Sequence, residues 1–149
     1  MIADAELNPA AVEIGSFFPQ SPDAVWRALT EPDLLERWMT RSIGFVASVG
    51  TQFVLEVPTQ PTGEIACEVL VARPGEQLKF SWADLRAEDP ARWVVDWMLH
   101  PQGCGTRFLL TQTGFDIDDR RQKMARNALE RGWKVALLRL RDVLDGVES

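Results

Sequence analysis

The chain has 149 residues, 46% of them hydrophobic, and a formal net charge of −6. That size fits one core that buries roughly 70% of its unfolded surface without staples, so a single domain over residues 1–149 is expected. No apolar run approaches the roughly 20 residues that cross a bilayer, Met1 to Ala11 carries no basic cluster before an apolar stretch, and the acidic balance argues against nucleic acid or an anionic membrane as partner.

The expected location is therefore cytoplasmic. Cys67 and Cys104, with His100 as the sole histidine, supply neither a disulfide framework nor a zinc ligand set. Both are read as reduced thiols, and no metal or cofactor is implied. Eight of the sixteen basic residues fall between Arg120 and Arg141, which reads as a solvated helix face or as a surface for an acidic partner.

In chain order, Ala11 to Phe18 reads as a first strand, stopped by the turn residues Pro19 to Ser21. Ser21 has the form of an N-cap with Pro22 behind it, and Ala24, Val25, Ala28 and Leu29 make an apolar stripe. A short helix over Pro22 to Thr30 follows from this. Thr30, Glu31 and Pro32 repeat the device and open a second short helix through Leu34, Leu35, Trp38 and Met39.

From Ile43 to about Phe115 the period changes to two, and five or six strands fit between Gly and Pro signals. Phe45 to Val49 is read as the first of these. The inward sets that follow are Phe53, Leu55 and Val57, then Ile65, Cys67, Val69 and Val71, then Leu78, Phe80 and Trp82. Trp93, Val95, Trp97 and Leu99 continue, and Phe108, Leu110 and Gln112 return through the turn Pro101 to Gly105. Successive hairpins make the sheet antiparallel.

A last helix is predicted from about Ile117 to Leu144, with Asp116, Asp118 and Asp119 at its positive end. Its inner arc gathers Ala125, Leu129, Gly132, Trp133, Ala136, Leu140, Val143 and Leu144, while Arg120, Lys123, Asn127, Arg131, Lys134 and Arg141 fall opposite. Gln122 and Arg126 lie at the inward edge. The small residues Ala125, Gly132 and Ala136 either admit the sheet closely or leave room for a molecule.

The segment Ser21-Pro-Asp-Ala-Val-Trp-Arg-Ala-Leu-Thr-Glu-Pro-Asp-Leu-Leu-Glu-Arg-Trp-Met39 resembles the opening motif of the heat-shock-protein ATPase activator homologue-like family, within the START and polyketide-cyclase-like superfamily. Val49 to Phe53, Pro101 to Phe115 and the Gly132-Trp133 segment of the last helix resemble three further motifs, so the likeness spans roughly Glu13 to Gly146. It departs at Cys104, where a glycine or small polar residue is common, and at Gln112, where a histidine is frequent. The resemblance implies an α+β helix-grip fold, a curved antiparallel sheet around the long C-terminal helix with a cavity between them. It leaves a homodimer, a chaperone partner and a stress-response setting open.

No phosphate loop, dinucleotide fingerprint, nucleophile elbow or metal cluster stands in the sequence. What remains is aromatic: six Trp and seven Phe without Tyr. The expected function is binding of a small hydrophobic or aromatic molecule, with no catalytic residue assigned. The candidate lining is Trp38 at the cavity mouth, Phe53, Phe80, Trp82, Trp97, Phe108, Trp133 and Ala136, with Gln112 and Arg126 orienting a polar end. The alternatives are a chaperone-regulating interaction domain and a cyclase- or hydrolase-like enzyme, the latter needing a titratable group inside the cavity.

Overall fold

In a computed structural model of the chain, residues 9–146 are described; Met1 to Asn8, the greater part of the segment read above for a leader, lie outside them. Strand β1 (Val12–Phe18) is followed by helices α1 (Pro22–Thr30) and α2 (Pro32–Trp38). Strands β2 (Ser42–Ile43), β3 (Gln52–Val57), β4 (Gly63–Arg73), β5 (Gln77–Asp84), β6 (Trp93–Gln102) and β7 (Gly105–Thr113) precede helix α3 (Arg120–Asp145). The strands form one seven-stranded sheet in the order β1-β7-β6-β5-β4-β3-β2, and every neighbouring pair is antiparallel. This is the helix-grip architecture: the sheet, α1 and α2 enclose the apolar face of α3 in one hydrophobic cluster.

Alternation works as the sequence anticipates in β6 and β7, whereas in β4 a register shift between Val69 and Val71 takes Val71 off the inner row, and in β5 Ser81 is buried beside Phe80 and Trp82. Trp93, Val95, Trp97 and Leu99 are buried along β6, and Phe108, Leu110 and Gln112 along β7. The register places Trp97 opposite Leu110 and Leu99 opposite Phe108, so the two inner rows coincide. At the first helix, Ser21 Oγ accepts from the Ala24 N–H at 3.2 Å, the expected N-cap.

Four local expectations are corrected. Phe45 to Val49 is a loop, and the short strand is Ser42–Ile43, paired with Leu55 and Val54. Gly44 and Gly50 bound that loop with φ of 80° and 89°, a backbone region that interrupts a ladder. Thr30 does not cap α2: its hydroxyl donates to the Trp26 carbonyl at 2.7 Å, inside α1, and Glu31 takes the cap position without a side-chain bond. Helix α3 starts at Arg120, three residues late, because the Asp116 carboxylate accepts from the Asp118 N–H in a turn (3.0 Å) and Asp119 caps the Arg121 N–H (2.9 Å).

The fourth correction concerns the arc of α3. Trp133, Leu137, Leu140, Val143 and Leu144 are buried, whereas Gly132 is exposed, and a Cβ built on it meets no atom within 4 Å. Leu137 takes the inner position instead. Gly132→Ala is therefore expected to stabilise the protein by roughly 0.5–1 kcal/mol, the helix-interior cost of glycine, measured by urea unfolding. A destabilised variant would return Gly132 to a packed face.

Candidate ligand site between sheet and helix

Six rings run in an unbroken line through the interior. Phe45 meets Phe53 at 4.8 Å between centroids, Phe53 meets Phe80 at 5.6 Å, and Phe80 meets Trp97 edge-on at 5.1 Å. Trp97 then approaches Trp133 of α3 at 6.3 Å, and Trp133 approaches Trp82 at 5.7 Å. Trp38 joins from α2, 5.4 Å from Trp97. These separations and tilts are those at which aromatic pairs attract beyond their burial. Of the sequence candidates, Trp38, Phe53, Phe80, Trp82, Trp97 and Trp133 are thus brought together, with Ala136 half-buried on the helix beside them.

The remaining candidates stand elsewhere or in other roles, and Trp38 is placed otherwise than expected. Trp38 is not at a mouth: its ring is fully buried and its indole N–H donates to the Ala28 carbonyl at 2.9 Å, binding α2 to α1. Phe108 pairs with Phe18 at 6.0 Å, where Arg141 lies over the Phe18 ring. Arg126 reaches back to β1, with Nε and Nη2 donating to the Ala11 carbonyl at 3.1 and 2.8 Å. Glu130 and Asn127 accept from its other N–H groups, so the guanidinium is committed to holding α3 against β1.

Gln112 is the polar group of the inner wall. It is fully buried, and its Oε1 accepts from the Trp133 indole N–H at 2.8 Å, a direct link from sheet to helix. The buried polar residues among those described are Ser81, Thr106 and Gln112, none of them an acid or base near neutral pH. Thr106 donates to the Gln20 carbonyl at 2.9 Å, and Ser81 Oγ accepts from the Glu68 N–H at 2.9 Å.

Of the small helix residues expected to face free space, Gly132 is exposed and Ala125 lines an open cleft. Between Leu35, Met39, Phe45, Phe53, Leu55, Phe80 and Trp97 the packing leaves no room for a water. A wider cleft of ≈ 690 Å³ opens where the β5–β6 loop faces the start of α3, lined by Asp84, Arg86, Ala91, Trp93, Gln122 and Ala125. At its base the Trp93 indole N–H donates to Gln122 Oε1 (3.2 Å), which also accepts from the Asp116 N–H (2.8 Å). Trp93 pairs in register with Trp82, so this cleft borders the ring line. Sequence reasoning placed Gln122 at the inward edge of the helix but missed Trp93 as a wall of this cleft.

The rim carries an ion pair. Arg86 Nε donates to Asp84 Oδ1 at 2.9 Å, Nη2 to Oδ2 at 2.6 Å, and Nη1 to the Pro61 carbonyl at 3.1 Å, joining two loops. These bonds hold the Asp84 carboxyl below its usual range and raise the Arg86 guanidinium. A further cleft of ≈ 670 Å³ lies over β3–β5 beside Gly44 and Arg92, with Val54, Ala66 and Glu68 among its lining.

A curved sheet clasping a long helix around an aromatic interior defines a helix-grip protein of the START and polyketide-cyclase-like class. The family model described as activator of Hsp90 ATPase homolog 1-like protein matches residues 19–145, and the chain belongs to that family. MLL2253 from Mesorhizobium loti is 30% identical, with TM-score 0.83 over 93% of this chain and 99% of its own. CalU16 from Micromonospora echinospora is 24% identical, with TM-score 0.72 over 90% of this chain and 75% of its own. DynU16, of the dynemicin biosynthetic locus, is 20% identical, with TM-score 0.77 over 91% of this chain and 47% of its own. No curated protein matches the chain significantly.

The two cysteines differ in reactivity. Cys67 is buried, which pushes its thiol up to about 12, whereas Cys104 is exposed. At pH 8, Ellman's reagent is expected to titrate one thiol quickly in the native protein and two after denaturation without reductant. Two fast thiols in the native state would expose the inner face of β4, and none after denaturation would reveal a disulfide.

Proposed function

We propose that this protein binds a small apolar or aromatic molecule between the sheet and α3, without breaking a bond in it. The observation that carries the reading is the line of rings through Trp97 and Trp133, set among half-buried Ala125, Leu129 and Ala136 and, among the described residues, free of any buried carboxylate, histidine, lysine or arginine. Apolar burial at roughly 25 cal/mol per Å² supplies affinity, and Gln112 is the polar group that orients the ligand. Trp38, Phe53, Phe80, Trp82, Trp97 and Trp133 form the lining; Phe108 and Arg126 are left to structural roles.

Access is through the cleft beside Trp93 and Gln122. Burial along α3 is uneven: Ala125, Leu129 and Ala136 are half-covered, whereas Leu137, Leu140, Val143 and Leu144 are buried, and the helix packs on α1, α2 and β1. The first half of α3 is the part that gives way when a ligand parts the rings, since fewer apolar contacts hold it.

A protein-interaction role is the second reading. Met124, Val135 and Leu138 are exposed on the outer side of α3, among Lys123, Arg131 and Lys134, which suits an acidic partner. The ligand reading is tested by thermal shift with an aromatic probe panel. A probe at 100 times its Kd is expected to add about 2.7 kcal/mol to stability, and Ala136→Leu is expected to remove that gain while the variant still folds. If no probe shifts the parent protein, the interaction reading stands.

A further inference from the structure

Among the described residues, two buried side-chain N–H groups lie without an acceptor. Trp97 Nε1 and Gln112 Nε2 are both buried and have no acceptor among the described residues, and their residues are 1% and 0% exposed. Three other buried indoles are satisfied: Trp38 donates to the Ala28 carbonyl, Trp93 to Gln122 and Trp133 to Gln112. Buried polar groups are nearly always paired, and an orphaned donor costs about 1–3 kcal/mol. Phenylalanine at 97 would avoid that cost while keeping a ring.

The two orphans are neighbours. Trp97 pairs in register with Leu110, so Gln112 lies two residues further on the same inner face of β7, a diagonal separation of about 7–8 Å. Trp133 bridges them, 6.3 Å from the Trp97 ring and hydrogen-bonded to Gln112. That bond also fixes the orientation of the Gln112 amide, because an indole N–H requires the carbonyl oxygen and so turns the NH2 group away. The free functions are donors only.

Building on the ligand reading above, we infer that Trp97 Nε1–H and Gln112 Nε2–H form a subsite for an acceptor oxygen, so that the preferred ligand is an aromatic or apolar molecule with a carbonyl at its inner end. A carbonyl has two lone pairs and no proton needing a partner, which suits two donors. A plain hydrocarbon leaves both unpaired.

The test compares acetophenone with ethylbenzene, which share a shape but not the oxygen. Without donors an apolar interior favours ethylbenzene, because the ketone must shed its water. The expected result is the reverse: acetophenone binds the parent about tenfold more tightly, and Trp97→Phe reduces the difference to about twofold. Because Trp97→Phe also loosens packing, a second readout uses the parent protein alone. The carbonyl stretch of bound acetophenone is expected to lie below its position in hexane, as hydrogen bonding weakens the C=O bond. Equal or weaker binding of the ketone, or a stretch at the hexane position, overturns the subsite while ethylbenzene binding keeps the ligand reading intact. Failure of both probes to bind removes the two together.

Discussion

The Trp133 indole N–H donating to Gln112 Oε1 is the interaction on which the rest of this structure depends. It spans the interior at 2.8 Å from the middle of α3 to the inner face of β7. Burying a glutamine without partners is costly, and burying an indole with its N–H unpaired is costly as well. The bond satisfies the indole's one polar group and the carbonyl half of the glutamine amide. The pair thereby specifies which turn of the helix faces which residue of the sheet, something apolar contacts alone specify weakly.

Around that pin the rings complete the interior. Trp133 touches both Trp82 and Trp97, so one helical side chain contacts two strands, and Phe80 and Phe53 carry the contact across the curve of the sheet toward the loop at Phe45. Gln122 repeats the arrangement at the cleft beside the start of α3, accepting from Trp93 on the sheet and from the backbone just before α3. The two glutamines act oppositely in one respect. Gln112 has an amide group left unused inside, whereas the carbonyl oxygen of Gln122 serves two donors.

Much of this was legible from period and punctuation. The inner rows of β6 and β7 follow from strict alternation, and Ser21-Pro22 announces its helix because both residues suit the first turn for local reasons. The misreadings have physical causes. Phe45 to Val49 alternates, with Phe45 buried and Ala47 half-buried against the core, yet it joins no ladder; Val46 and Val49 are 59% and 65% exposed, which a loop between two left-handed glycines permits. Gly132 lies 100° from Trp133 on a helix, at the border of the arc, and without a side chain it leaves no sign of which way it faces. Centring the arc toward Gly132 excluded Leu137, which lies on the other flank and is buried. At the site, strand parity placed Gln112 and Trp97 inside. Which of their atoms are paired depends on side-chain torsions and on a partner 21 residues distant in sequence, which no local pattern encodes.

The most direct measurement is a double-mutant cycle on the pin itself, with Trp133→Phe, Gln112→Leu and the double variant unfolded in urea. If the bond holds helix to sheet, the two losses fall short of adding, with a coupling of about 1–2 kcal/mol. Additivity within about 0.3–0.5 kcal/mol would show that the two side chains do not act as a pair, and would contradict the account of how this protein grips its helix.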